Sequence, residues 1–247
     1  MRIDFERRYV RQIALPEVGH DGQQKLACAK VLVIGVGGLG APLVTYLAAS
    51  GVGHLGMIDD DRVELSNLPR QIIHETGDIG RLKVESARDR VAELNPECNV
   101  TIYPFALTAE NAAEIISNYH IVADGSDQFA TRFAVNAACV AQRIPLVSAA
   151  VSGFAGQLLT IAPHLAPQAG CYHCLVHPNA ADERTCNLGI LAPFAGQIGS
   201  AQALEVLRVI LGFPAFTAQL AVIDGKSGMQ RLIARQRDPH CPVCIAI

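Results

Sequence analysis

Five polar side chains, Asp59, Asn67, Arg70, Lys83 and Asp127, follow a glycine turn at Gly35, Gly37, Gly38 and Gly40. Together they offer what a reaction at a triphosphate requires. Gly35, Gly37 and Gly40 fit G-x-G-x-x-G, in which the first glycine allows the turn, the second lets the backbone approach a phosphate, and the third lets a helix pack on a strand. The N–H groups that open the following helix suit an anion. Asp59 closes the next apolar segment, where a carboxylate that grips ribose hydroxyls is expected. The glycines alone equally fit an αβ turn with no ligand; the apolar strand before them and Asp59 in register argue for a nucleotide. A nicotinamide oxidoreductase would use the turn and the acid, but has no task for two further cations and a second carboxylate. Arg70 and Lys83 suit phosphate oxygens, and Asp127 suits Mg2+, so that charge is stabilised as pyrophosphate departs. Asp127 also reads as an ordinary N-cap. Lys83 lies near a helix start, where a cation opposes the helix dipole, which hints at a ligand.

A second set is formed by Cys171-Tyr172-His173-Cys174 and Cys241-Pro242-Val243-Cys244. Each C-x-x-C places two thiols close enough to share one ion, and four thiolates complete a closed tetrahedral zinc shell with a structural role. Two redox pairs or four unconnected thiols are the alternatives; both pairs read as loops and not as the start of a sheet-packed helix, which favours zinc. His173 reads as exposed, not as a fifth ligand. The other cysteines, Cys28, Cys98, Cys139 and Cys186, are scattered, so the set does not read as a disulfide framework.

The elements that must position these residues follow from the apolar pattern. Val31 to Ile34 reads as a strand, Leu39 to Ser50 as a helix with Gly51 at its C′ position, and His54 to Ile58 as a second strand. Val63 to Gln71 is a polar loop in which Pro69 blocks a helix. Gly80 to Leu94 reads as an amphipathic helix, Val100 to Tyr103 as a strand, Ala109 to Ser117 as a helix, Ile121 to Ala123 as a strand and Phe129 to Ala141 as a helix. Strands at Pro145 to Ala149 and Gly156 to Ile161, a long helix from Ala192 to Leu211 and a hairpin from Leu220 to Ala234 complete the chain. A short helix at Gln23 to Cys28 precedes the first strand, and Arg8 to Gln12 reads as a solvated arm. Strand and helix alternate from residue 30 to about 150, which predicts an α/β fold: a Rossmann-like, mostly parallel sheet continued by antiparallel strands.

The 247 residues are 50% hydrophobic, with a net charge of −3 and a mean hydropathy of +0.26. A chain of this kind can bury a large core. It has no run of Lys or Arg, so the footprint of a nucleic-acid binder is missing. Ile144 to Ala181 lacks any charged Asp, Glu, Lys or Arg, but prolines and glycines interrupt it and buried strands explain it better than a membrane span. The N-terminus has no uninterrupted apolar segment of a secretory signal, and a cytoplasmic location is expected.

Arg8-Tyr9-Val10-Arg11-Gln12, the Gly35 to Gly40 turn, Leu65-Ser66-Asn67-Leu68-Pro69-Arg70-Gln71, Lys83, Asp124-Gly125-Ser126-Asp127 and the paired cysteines occur in this order. Taken together, they resemble the ThiF/MoeB/HesA group of ubiquitin-activating-type adenylyltransferases, in particular its short bacterial members. The resemblance covers almost the whole chain. It implies a single adenylyltransferase domain over 1–247, with an N-terminal helical arm (1–29), a nucleotide-binding half (30–150) and a carrier-binding half that includes the zinc site (151–247). It implies ATP, Mg2+ and Zn2+ as cofactors, and as partner a small β-grasp sulfur-carrier protein whose C-terminal Gly-Gly carboxylate attacks the α-phosphate. Asp59 would then hold the ribose, Asn67, Arg70 and Lys83 the phosphates, and Asp127 the Mg2+, with Asp61 assisting nearby. Arg11 would reach the phosphates of a neighbouring subunit in a homodimer. Pro69 stands where the family often has Gln, Gln128 where Asn is usual, and Gly125-Ser126 where Cys-Thr is commoner; none of these removes a charged group.

Cys186, in Glu183-Arg184-Thr185-Cys186, matches the position that in ThiF-like members links covalently to the activated carrier. The same cysteine occurs in MoeB-like members without that task, so it equally reads as a loop residue near the zinc site. The segment resembles the ThiF side, thiamine thiazole synthesis with a ThiS-type carrier, slightly more than the MoeB side, molybdopterin synthesis with a MoaD-type carrier; a separate sulfurtransferase is a further partner on either side. A non-catalytic, zinc-stabilised binding module is a third class of reading.

Overall fold

A computed structural model describes residues 4–176 and 189–245. One eight-stranded sheet runs through it in the order β3-β2-β1-β4-β5-β6-β7-β8. β1 (Lys30–Ile34), β2 (His54–Ile58), β3 (Asn99–Tyr103), β4 (Ile121–Asp124) and β5 (Leu146–Ser152) are parallel neighbours. β6 (Ala155–Ile161), β7 (Gln219–Asp224) and β8 (Gln230–Ala234) continue the sheet in antiparallel pairing. Val31, Leu32 and Val33 are wholly buried, as the uninterrupted apolar run requires of a central strand covered on both faces.

Helices cover both sides. α3 (Gly40–Ala49), α4 (Lys83–Leu94) and the long α8 (Ala192–Leu211) share one core with Val31 and Val33. α5 (Ala112–Ile116), α6 (Phe129–Gln142) and the one-turn α7 (Tyr172–Leu175) pack on the other side with Leu32, Ile34 and the paired cysteines. The chain leaves β1 towards β2 on one side and later returns to β4 on the other. The carboxyl ends of β1 and β4 therefore flank a switch point, the crevice where ligands bind in open α/β sheets.

Several local expectations change in the folded chain. Arg8 to Gln12 is not a solvated segment but part of α1 (Phe5–Ile13), capped by Asp4, whose side chain accepts from the Arg7 N–H, and α2 (Gly19–Cys28) starts earlier than expected. α1 is anchored because Tyr9 is buried and accepts a hydrogen bond of 3.0 Å from Asn95 Nδ2. The helix expected from Gly80 begins only at Lys83, after two 3-10 turns at Leu65–Asn67 and Thr76–Asp78. The helix expected from Ala109 to Ser117 is reduced to α5. Gly51 takes φ +88° after the end of α3, as its C′ position requires.

Candidate active site

The glycine turn is built by three different constraints. Gly35 has φ +84°, which an L side chain rarely adopts. Gly40 has no room for a Cβ, which would overlap the Gly35 carbonyl. At Gly37 a Cβ would meet only the Gln71 amide, at an ordinary 3.6 Å, and at Gly38 only the Arg70 stem and Ala195, at 3.5 Å and beyond. Packing within the chain thus explains Gly35 and Gly40 but leaves Gly37 and Gly38 open to a ligand.

Polar groups from four separate segments meet this turn. From the end of β2, Asp59 accepts from the Val36 N–H through Oδ2 (2.7 Å) and from the Asp61 N–H through Oδ1 (2.9 Å). Each oxygen keeps a further acceptor direction. Burial raises the Asp59 pKa, while Lys83 and the two N–H groups oppose the rise. From the first 3-10 turn, Asn67 accepts from the Glu64 N–H at 3.2 Å, and its own carbonyl accepts from the Arg70 and Gln71 N–H groups. Arg70 then lies over Gly38, its guanidinium donating to the Ser66 carbonyl at 3.0 Å. Lys83, the first residue of α4, is buried and its Nζ lies 2.6 Å from Asp61 Oδ2. A lysine at this helix start is therefore offset by a partner inside the chain. Carboxylate oxygens of Asp59, Asp60 and Asp61 lie within 4.8 Å of one another.

The loop after β4 closes the other wall. Gly125 and Ser126 backbone atoms lie against Gly35, about where its Cβ would be 3.5 to 3.6 Å away. Asp124 Oδ1 accepts from the Ser126 N–H (2.9 Å) and hydroxyl (2.7 Å). Asp127 is exposed at this strand end. It is not the N-cap of α6: Gln128 takes that place, with no side-chain cap bond.

Arg11 does not join this set. It is an exposed residue of α1, and Tyr9 on the same helix packs against Gly51 and Asn95, at the amino ends of the strands. Cys186, with Arg184, lies outside the described residues.

Other groups at the site gave no motif signal. Arg132 of α6 is buried and donates to the carbonyls of Ser126 and Ala149 and, at 3.3 Å, to Ser148 Oγ, tying the Asp127 loop to β5. Gln202 of α8 donates to the Asp124 and Val147 carbonyls at 2.9 and 3.1 Å. Gln71, His74, Gln202 and Asp124 are buried polar residues. Gln71 Oε1, Gln202 Oε1 and Asp124 Oδ2 have no hydrogen-bond partner among the described residues. A charged or amide residue inside an otherwise apolar helix, as at Arg132 and Gln202, is the signal that could have marked them.

The cysteines meet on the opposite side of the sheet. Cys171 and Cys241 sulfurs are 3.7 Å apart and those of Cys174 and Cys244 3.5 Å, and all four lie within 4.8 Å. A tetrahedral zinc with bonds of ~2.3 Å sets sulfurs about 3.8 Å apart, so the donor set fits. Burial, with the neighbouring thiols, pushes Cys171 up to about 11 and Cys244 higher; burial acts the same way on Cys241, but hydrogen bonds from nearby N–H groups and thiols outweigh it and draw that thiol down. A dication would relieve that repulsion and release the protons. Cys174 sits on the helical turn α7, so the loop argument against a redox pair does not hold for the first pair; the fourfold meeting of sulfurs replaces it. His173 is not among the grouped ligands and stacks edge-on against Phe133.

A doubly wound sheet with an anion-ready glycine turn at its switch point defines a nucleotide-binding α/β protein of the Rossmann-like class. Residues 9–243 match the model of the ThiF family, and the chain belongs to that family. It is 43% identical over 238 residues to the "Sulfur carrier protein ThiS adenylyltransferase" of Escherichia coli (strain K12), covering 96% of this chain and 94% of that one. It is 42% identical over 243 residues to the "Sulfur carrier protein adenylyltransferase" of Thermus thermophilus, covering 96% and 90%. A mouse relative, "Adenylyltransferase and sulfurtransferase MOCS3", is 42% identical over 96% of this chain, which spans about half (52%) of that protein. The crystal structure of E. coli MccB with ATP shares the fold, with a TM-score of 0.82 at 24% identity over 96% of this chain and 74% of that one. Among the described residues, no helix is long and apolar enough to cross a membrane.

Proposed function

We propose that this chain is an ATP-dependent adenylyltransferase. It activates the C-terminal Gly-Gly carboxylate of a small β-grasp sulfur-carrier protein of the ThiS type, for thiamine thiazole synthesis. One observation carries the reading: Asp59, Arg70 and Lys83 converge on a glycine turn whose middle glycines are left open, with the Asp127 loop against the same turn. A carboxylate is a poor acyl donor. Its oxygen attacks the α-phosphorus of ATP, the new O–P bond forms as the bond to the β-phosphate oxygen breaks, and pyrophosphate leaves. Asp59 holds the ribose, Asn67, Arg70 and Lys83 bind phosphate oxygens, and the Gly35 to Gly40 turn receives the chain of phosphates. Asp127 would hold Mg2+, with Asp61 assisting; the ion would supply neutralisation of the departing pyrophosphate.

The exposed position of Arg11, remote from the glycine turn of its own chain, supports a role on the phosphates of a second copy, so that a homodimer carries two composite sites. The 151–247 half receives the carrier, and Cys171, Cys174, Cys241 and Cys244 bind Zn2+ there. Cys186 is the candidate acceptor of the activated carrier. A cytoplasmic setting would keep these thiols reduced.

The relatives named MOCS3 favour one second reading, a carrier of the MoaD type, with a sulfurtransferase acting as separate partner. Incubation with MgATP and each carrier, followed by intact mass, tests both: gain of AMP on the ThiS-type carrier is expected, and gain on the MoaD-type alone moves the reading to it. Absence of carrier-dependent pyrophosphate exchange with either carrier would sink the proposal. A thiol-sensitive conjugate lost in Cys186→Ser would assign Cys186.

A further inference from the structure

Val36, at the centre of the glycine turn, has both of its backbone polar groups held by side chains from elsewhere in the chain. Its N–H donates to Asp59, and its carbonyl faces His74 Nε2 at 3.3 Å. His74 is buried, and its other ring nitrogen, Nδ1, lies 2.8 Å from Ser86 Oγ. Ser86 Oγ in turn lies 2.7 Å from Asp78 Oδ2. Asp78 is further held by the Glu75 N–H at 3.0 Å and by Arg81 Nη1 at 2.6 Å. A relay of side chains therefore runs from the start of α4 to the nucleotide turn.

The protons in this relay can be counted. The Val36 carbonyl only accepts, and the ionised Asp78 carboxylate only accepts. The three contacts Asp78–Ser86, Ser86–His74 and His74–Val36 need three protons. Ser86 supplies one, which goes to Asp78, and a neutral imidazole supplies one more. The neutral ring must leave one contact without a proton. Ser86 donates to a carboxylate, a charge-assisted bond, and the 2.8 Å contact at Nδ1 is much shorter than the one at Nε2, so the proton stays on Nδ1 and the 3.3 Å contact to Val36 is the one left bare.

We propose that His74 is a positioning residue for the glycine turn, clamping the Val36 carbonyl only when its ring carries two protons, so that nucleotide binding and proton uptake are linked. This rests on the reading of the turn as the ATP site. Burial lowers the His74 pKa, helped by Lys83 and opposed by Asp78 and the Val36 carbonyl, so the free protein holds the neutral ring at pH 7. The other charges around the relay are already engaged: Arg81 by Asp78 and Asp89, Lys83 by Asp61, and Asp59 by the Val36 N–H. A triphosphate against the turn adds negative charge and favours the seated peptide, which raises the affinity of His74 for its second proton. By reciprocity, a proton that ATP draws in must strengthen ATP binding as pH falls.

The test uses the full chain with MgATP. Calorimetry in two buffers of different ionisation enthalpy gives the proton uptake, and 15N spectra of labelled histidine give the ring state. Wild type is expected to take up protons on binding near neutral pH and to hold the Nδ1–H form when free. His74→Gln, whose amide can donate to Val36 at any pH, should bind ATP within about threefold of wild type with no proton uptake. His74→Leu should bind about tenfold more weakly, the loss of one hydrogen bond. Proton uptake unchanged in His74→Gln, or an Nε2–H ring in the free protein at pH 7, overturns the proposal. The spectra need no nucleotide, so they decide the relay even if wild type binds no ATP, a result that would refute the ATP reading itself.

Discussion

Gly37 and Gly40 share a motif but are small for different reasons, and substitution separates them. A methyl at Gly40 meets the Gly35 carbonyl, so Gly40→Ala should unfold the turn and lower thermal stability. At Gly37 a methyl has ordinary space. Gly37→Ala is therefore expected to leave stability within about 0.5 kcal/mol while abolishing ATP binding; thermal melts and calorimetry on both variants check this. A Gly37→Ala protein that binds ATP normally would show that no phosphate reaches that backbone. Asp127 gives a second prediction at this scale. It is exposed and precedes Gln128, the N-cap residue of α6, so Asp127→Ala should keep its fold and most of its ATP affinity. If it holds the ion on the leaving pyrophosphate, carrier-dependent exchange should fall by roughly 100-fold or more. Full exchange in that variant would show that Asp127 does not hold the ion on which the reaction depends.

At the scale of elements, α4 and the 3-10 turns before it form one hydrogen-bonded unit. Burial would raise the Asp78 carboxyl, but bonds from Ser86, the Glu75 N–H and Arg81 outweigh it and hold the pKa below its usual value. A depressed carboxyl gives stability that is present above the unfolded value of ~3.9 and lost as pH falls through the folded one. Asp78→Asn should lower stability at pH 7 and flatten the acid limb below about pH 4, as read from urea midpoints across pH. An acid limb identical to wild type would mean the carboxyl is not held in this way. The helices themselves were legible where apolar spacing was strong, as in α3 and α8. Arg8 to Gln12, within α1, reads as solvated because most of the segment is polar. What makes it a packed helix is Tyr9 bonded to Asn95, a contact that spacing within the segment cannot reveal. Lys83 stands out in the sequence by its position at a helix start, but its 2.6 Å pairing with Asp61 depends on how the intervening 3-10 turns fold back.

For the whole molecule, the paired cysteines join the segment after β6 to the end of the described chain. One zinc per chain is expected by elemental analysis, and a Cys241→Ser/Cys244→Ser variant should lose it with a fall in melting temperature of ~10 °C, the scale of losing several kcal/mol in a chain of this size. Unchanged melting in a zinc-free variant would remove the structural role. The sequence by itself determined the strand, turn and helix at Gly35 to Gly40, the acid at the end of β2, the mostly parallel sheet and the two thiol pairs. Those features depend on local backbone freedom, apolar period and ligand chemistry between near neighbours. Tertiary structure alone decided that all four sulfurs meet, that Arg11 lies apart from the turn, that Arg132 and Gln202 brace the Asp127 loop, and that Val36 is held between Asp59 and His74. Burial and hydrogen bonding at those positions are set by distances between residues far apart in the chain, and such distances exist only once the sheet has brought its strand ends together.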